Sequence, residues 1–374
     1  MICAASISLM GRSVGETAAD RQWLAYVICG GDPVSMPFAD AGEAVAAAQS
    51  EGVLTLVANR LSFRPIGDSL RTAFATAARQ LTVVAMLREA ECRRMLAVLQ
   101  EAEIPVLLLK GSALAWWLYS APHLRECSDI DLLLASREAV TRASRLMIEH
   151  GYNAGYEQGE HAYELVCRRI LSGSLQLDLD LHWALNNAPV FATALSYDEL
   201  FAASIPLDTL GPHARGLSPP HALLHAAMHR AINLYTRVGD SLKWLYDLHL
   251  LAEHLTPSEW SVVLQLCRQR GLGGVCVAGL DATAAVFGQA VSDEVMAELR
   301  ATRSGEAVDG DRLHDWRYMH RMNLTALPSL KAKASWLWRK SFPSLQLMRE
   351  MYGVNHGLSR LWLLRVTRIL KKLR

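Results

Sequence analysis

No run of apolar residues in this chain reaches the roughly 18 in succession that a membrane-spanning helix needs. No two of its seven cysteines (Cys3, Cys29, Cys92, Cys127, Cys167, Cys267 and Cys276) are spaced as a zinc ribbon or a redox motif requires. An odd, scattered set reads as buried free thiols in a reducing compartment. There is no excess of charge of either sign. Lys and Arg number 38 against 37 Asp and Glu, for a net charge of +1. Overall charge therefore points to neither a nucleic acid nor a membrane, and any such partner has to be read from local patches. No basic segment precedes the apolar stretch Met1–Met10, and Ser6 and Ser8 interrupt it. No signal peptide is expected, and the cytoplasm is the expected location. Internal repeats and low-complexity tracts are also missing. The balance of 51% hydrophobic and 20% charged residues over 374 residues is that of a folded chain with room for two or three domains.

Residues 13–104 carry apolar positions at helical spacing, with Glu43–Ala58 and Leu70–Ala102 the clearest helices and Pro65 and Gly67 between them. The pattern changes at Ile104-Pro105. Val106–Leu109 is a short apolar run ending at Lys110-Gly111-Ser112, which reads as a buried strand entering a tight turn. A helix over Ala113–Tyr119, capped by Ser112, should follow. Cys127–Leu134 is a second strand, and Arg137–Gly151 another helix with Gly151 at its C-cap. A hairpin is expected from His161–Arg169 through Ser172-Gly173-Ser174 to Leu175–Trp183. The last run alternates, with Leu175, Leu177, Leu179 and Leu181 on one face and Gln176, Asp178, Asp180 and His182 on the other. Helices return at Ala222–Val238, Ser241–His254 and Pro257–Arg270, followed by a turn at Gly271–Gly274 and more helix to about Arg300. Ala301–Asp311 reads as an exposed loop.

The chemistry is concentrated in Asp129-Ile130-Asp131. Two carboxylates two residues apart on a strand project from one face, where they can share divalent cations. Magnesium prefers oxygen ligands and is usually held by a few carboxylates together with substrate phosphates. Two such ions about 3.5–4 Å apart stabilise both the attacking and the leaving oxygen of an in-line displacement. A third carboxylate should come from another strand. Asp180 is the first candidate, with Asp178 on the same face in reserve. Upstream, Gly111 lets backbone approach a phosphate, Ser112 offers a hydroxyl, and Lys110 and Arg125 offer positive charge. Lys110 could equally be a structural ion-pair partner, and Arg125 could pair with Asp129 or Asp131. His182 reads as an orienting neighbour of the carboxylates or a core histidine rather than a magnesium ligand.

These residues resemble the nucleotidyltransferase superfamily with the DNA polymerase β-type palm. The closer resemblance is to the uncharacterised bacterial nucleotidyltransferase family. It rests on Leu109-Lys110-Gly111-Ser112-Ala113-Leu114, on Arg125 ahead of Asp129-Ile130-Asp131-Leu132-Leu133, and on Asp180-Leu181-His182-Trp183. His221–His229 and Trp244-Leu245-Tyr246-Asp247-Leu248 extend it, so that it covers about Ile104–Leu251. The resemblance implies a palm on which Asp129, Asp131 and Asp180 hold two Mg²⁺ ions, with Mn²⁺ as an alternative. It further implies that Lys110, Gly111, Ser112 and Arg125 bind the nucleotide.

The fold expected is α+β, a small mixed β-sheet flanked by helical regions. Residues 1–104 should form an N-terminal helical region, 105–185 the nucleotidyltransferase core, 186–300 a helical domain closing the site, and 301–374 a helical, basic C-terminal region. The expected reaction moves a nucleoside monophosphate from an NTP, ATP by default, to a hydroxyl on a small molecule, peptide or protein. A nucleic-acid acceptor is disfavoured by the neutral charge. The alternatives are a non-catalytic nucleotide-binding scaffold and a toxin-type or membrane-surface interaction protein. The last draws on 359–374, where Arg360, Arg365, Arg368, Lys371, Lys372 and Arg374 interleave with apolar residues. His221, His225 and His229 line one helical face, with no Glu between them of the kind a metalloprotease needs.

Overall fold

A computed structural model of the protein describes residues 18–33, 36–157, 163–172, 175–236, 238–343, 345–353 and 356–373. Met1–Met10, His161 and the Gly173-Ser174 turn lie outside the described residues.

Seven strands form one mixed sheet: β1 (Val106–Leu108), β2 (Asp129–Leu134), β3 (Asn153–Glu157), β4 (Glu164–Ser172), β5 (Leu175–His182), β6 (Ile205–Pro206) and β7 (Arg215–Gly216). Their spatial order is β3-β4-β5-β2-β1-β7-β6. β2 runs antiparallel to β1 and parallel to β5, and β5 is antiparallel to β4. The sheet is wider than the motifs alone indicate. β6 and β7 come from beyond residue 185 and extend its edge next to β1.

Alternation along the strands gives the sheet two unlike faces. Ile130, Leu132 and Leu134 of β2 and Leu177, Leu179 and Leu181 of β5 are buried on one face. There they pack with Met95 and Leu99 of the helix Asp68–Glu101 and with Val140, Ala143 and Met147 of the helix Arg137–Glu149. Asp129, Asp131 and Leu133 alternate to the other face. Leu133 joins a second core built by the helices Pro219–Thr236, Leu242–His254, Pro257–Arg270 and Gly273–Phe287. The acidic face of the sheet is thus the face that meets the helical region.

Three local expectations change. The helix after β1 is Lys110–Trp117, with Leu109 at its N-cap, so Ser112 lies inside the first turn and does not cap it. The segment Ala301–Asp311 is not a free loop. Helix continues to Thr302, Val308 is buried, and Gly310 packs on the backbone of Gly274. The Glu306 carboxylate accepts from Gly273 N and Gly274 N, at 2.7 Å each, and caps the helix they open. The expected Gly271–Gly274 turn shortens accordingly, to Gly271 in the left-handed region (φ 64°) and Leu272.

Four helices follow: Trp316–Ala326, Leu330–Ser341, Leu345–Tyr352 and Leu358–Leu373. Leu361 of the last is buried, and Arg365 donates to the carbonyls of Lys340 and Ser341, so this amphipathic helix docks by one side on its neighbour. Among the described residues no helix is long and apolar enough to cross a membrane.

Candidate active site

The parallel pairing of β2 with β5 sets Asp129 opposite Asp178 and Asp131 opposite Asp180, with His182 two pairs further on, opposite Leu133. All five polar side chains stand on the face turned to the helical region. Asp131, Asp180 and His182 each bring one ligand atom into a group that lies mutually within 4.8 Å. Asp129 lies outside that tight group but close enough to raise the Asp180 carboxyl. Asp178 is drawn away: its carboxylate takes two hydrogen bonds from Arg168, at 2.9 and 3.1 Å, and one from Gln176 at 3.0 Å. Asp178 thus has Arg168 as its partner, whereas Asp180 stays grouped with Asp131 and His182.

Lys110 leaves β1 in the left-handed region, at φ 51°, an uncommon conformation for a residue with a side chain. Its Nζ donates to Asp131 Oδ1 at 2.6 Å. The His182 Nε2 lies 2.9 Å from the same oxygen, and its Nδ1 lies 3.6 Å from Glu164 Oε2. Ser112 Oγ donates to Asp129 O at 3.2 Å and accepts from Asp131 N at 3.3 Å, tying the helix start to β2.

Charge at the site is unevenly matched. Burial works against ionisation of Asp131, but the Lys110 charge and the His182 contact outweigh it and hold this carboxyl well below the usual range. Asp129 is raised, first by burial and then by Asp131. Asp180 is raised well above the ordinary carboxylate range by burial, then by Asp131, Asp129 and Glu164. The Lys110 ammonium is strengthened: Asp131, Asp129 and Glu164 more than offset its burial. Several acids thus converge on more negative charge than Lys110 neutralises. An oxygen-rich donor set with that imbalance fits a divalent cation.

Arg125 meets Asp247 in a buried ion pair. Its Nε donates to Asp247 Oδ1 at 2.8 Å and its Nη2 to Asp247 Oδ2 at 2.7 Å, while Tyr119 Oη donates to Asp247 Oδ1 at 2.7 Å. Both members of the ion pair are about 5% exposed. The guanidinium pins the sheet region to the helix Leu242–His254 instead of pairing with Asp129 or Asp131. Gly111 belongs to the same arrangement. A Cβ there would lie 2.8 Å from Cys127 Sγ and 2.9 Å from Arg125 Cζ, so the absence of a side chain makes room for the buried arginine.

A cavity beside Lys110 is lined by Trp117, Arg125, His225, His229 and Trp244 among others. His221 turns elsewhere, to Ser218 Oγ at 2.7 Å, so the three histidines of that helix do not converge. His225 is buried with its Nε2 unpartnered, and burial, followed by the Lys110 charge, lowers it to about 3. His229 stacks edge-on against Trp244.

Two residues near the carboxylates escaped the sequence reading. Glu164 pairs with His182 across β4 and β5. The signal was available, because reflecting the hairpin about Gly173 puts Glu164 opposite His182. Lys243, ahead of Trp244, supplies positive charge that acts on Asp129; its position depends on long-range packing and leaves no local signature.

Residues 37–288, more than half of the chain, match a family described as uncharacterised nucleotidyltransferases. The chain belongs to this family. The match encloses β1 to β5, the acidic cluster and Asp247. Among solved structures, an antigenic nucleotidyltransferase-like protein from Paracoccidioides brasiliensis is similar over 58% of this chain and 96% of its own, at 13% identity and a TM-score of 0.30. No curated protein sequence matches. Membership in the uncharacterised nucleotidyltransferase family supports nucleotidyl transfer as the general activity.

Proposed function

We propose that the protein transfers a nucleoside monophosphate from an NTP, ATP being the first to test, to a hydroxyl of a small molecule, peptide or protein. The observation that carries this reading is the meeting of Asp131 and Asp180 from adjacent parallel strands, with Asp129 at hand, beside the start of the helix Lys110–Trp117. Asp129, Asp131 and Asp180 would hold divalent cations, Mg²⁺ first, which supply charge stabilisation to the attacking and leaving oxygens.

The chain's own groups have distinct tasks. Asp180, ionised once a cation offsets its acidic neighbours, would receive the acceptor's proton. The acceptor oxygen bonds to the α-phosphorus as the bond to the bridging oxygen breaks, and pyrophosphate leaves. Lys110 offsets charge on the triphosphate, and the backbone N–H groups of Gly111 and Ser112 open a helix whose dipole favours the phosphate end. Arg125 contributes by holding the helical region in place through Asp247.

The test uses purified protein with labelled NTPs, Mg²⁺ and a panel of hydroxyl acceptors. NTP consumption with pyrophosphate release is expected from the native chain and not from the double variant Asp129→Ala, Asp131→Ala. Equal activity in both would remove the carboxylates from the reaction.

A further inference from the structure

We propose that His182 is a nitrogen ligand at this cation site, oriented by Glu164, and that it biases the position bounded by Asp131 and Asp180 towards Mn²⁺-type transition cations over Mg²⁺. The inference rests on the reading of the carboxylates as a cation site and adds to it one ligand and the class of metal.

The argument starts from the two ring nitrogens. Nε2 lies 2.9 Å from Asp131 Oδ1, and Nδ1 lies 3.6 Å from Glu164 Oε2. The ring is about 1% exposed, so water does not serve either nitrogen freely, and Nδ1 makes no hydrogen bond. A neutral imidazole carries one N–H, whereas an ionised carboxylate only accepts. With a proton on Nε2, the Nδ1 lone pair confronts Glu164. With a proton on Nδ1, the ring can donate to Glu164 over a small closing movement, and the Nε2 lone pair points at the Asp131–Asp180 cluster. A divalent cation there turns that repulsion into coordination. A carboxylate on one nitrogen and a metal on the other is the arrangement that fixes the tautomer and raises the basicity of ligating histidines. The β4–β5 register, which places Glu164 opposite His182, builds this relay into the hairpin.

The choice of metal follows from the donor set. Mg²⁺ takes oxygen ligands in strict octahedral geometry and is reluctant to give up water for nitrogen. First-row transition cations accept imidazole together with carboxylates. Lys110 shares Asp131 Oδ1 with the ring, and it occupies the cation's side of the cluster until the metal displaces it or binds next to it.

The test is pulsed EPR of Mn²⁺ added below one equivalent to the full-length protein, with and without a non-hydrolysable ATP analogue, together with Mg²⁺ competition. Nitrogen-14 modulation from a bound imidazole is expected, and histidine labelled with ¹⁵N in the unmutated chain should change it. That arm needs no substitution and so stands even where a variant folds poorly. In His182→Gln the modulation should vanish, with Mn²⁺ binding weakened about 10- to 100-fold and Mg²⁺ binding little changed. Bound Mn²⁺ without nitrogen modulation would overturn the ligand assignment and leave the carboxylate site standing. A doubly protonated ring that satisfies both carboxylates by itself gives that same result. No binding of Mn²⁺ in either state would remove the cation site altogether, and the proposed function with it.

Discussion

Two buried arrangements of charge lie against the start of the helix Lys110–Trp117, and they are balanced in opposite ways. On one side Arg125 meets Asp247 with two-pronged geometry, and Tyr119 adds a third hydrogen bond. That pair is closed: one cation meets one anion, and both are buried. On the other side Asp131, Asp180, Asp129 and Glu164 face Lys110, and the Asp180 carboxyl is driven upward by burial and by its neighbours. That cluster is open, since folding gathers more negative charge than the chain itself neutralises. A buried ion pair that satisfies itself serves to hold two regions together, and one that falls short creates a place for a cation. Both sets join Asp to a basic residue, Arg125 in one and Lys110 in the other, and only the balance of partners separates structure from chemistry.

The sharpest way to break this comparison is to remove a charge from each side. Asp180→Asn should lower nucleotidyl transfer by on the order of 10²- to 10⁴-fold, as loss of a proton-accepting group does. The same change should raise the melting temperature measured without divalent cation, because it deletes a buried negative charge among like charges. An activity loss accompanied by lower stability would count against an open cluster. Arg125→Ala should behave in the reverse sense. It should destabilise the fold by about 3–5 kcal/mol, the usual result of stranding one member of a buried pair. The double change Arg125→Met, Asp247→Leu should recover most of that loss in urea titrations. A variant that stays fully stable yet binds NTP more weakly would return Arg125 to the phosphate-binding role suggested by its place in the sequence.

The open side was more legible than the closed side, for a physical reason. A strand has a period of two, so Asp129 with Asp131 and Asp178 with Asp180 and His182 declare a shared face from local sequence alone. The leucines between them declare which face is core. The partner of Arg125 stands 122 positions away on a helix. No periodicity links the two, so the arginine was open to a ligand-binding reading. The same limit hid β6 and β7, two residues each, which are too short to carry a period and are held by pairing with β1 and with each other. Glu306 was invisible too, because its role as a cap depends on Gly273 and Gly274, more than thirty positions earlier.

A smaller effect tests what Gly111 does at the junction of the two arrangements. Read from sequence, it admits a phosphate. In the fold, an added Cβ meets Cys127 Sγ at 2.8 Å and Arg125 Nη1 at 2.9 Å. Gly111→Ala should therefore destabilise by about 1–3 kcal/mol through overpacking. Thermal melts should show the loss equally with and without NTP. A loss of nucleotide affinity at unchanged stability would instead support the phosphate seat.

The mildest test concerns pH, and it uses the sign of each region's response. Burial, followed by the Lys110 charge, lowers His225 to about 3, against about 6.5 for the unfolded chain. Above pH 6.5 neither state binds the proton and the histidine's contribution is fully present. As pH falls from 6.5 towards 3, the unfolded chain takes up a proton that the folded chain refuses. Stability from this group then falls by about 1.4 kcal/mol for each pH unit. His229, lowered well below its ordinary value for the same first cause, adds to the slope. The raised Asp180 acts oppositely, since its folded form holds the proton more tightly and gains from acid. Comparing urea midpoints of the native chain and His225→Gln between pH 7 and 5 isolates the histidine, because the carboxylates are common to both proteins. The variant should show the shallower loss on acidification. Parallel slopes would mean that the ring takes up its proton inside the fold, with the cavity beside Lys110 wet enough to solvate it.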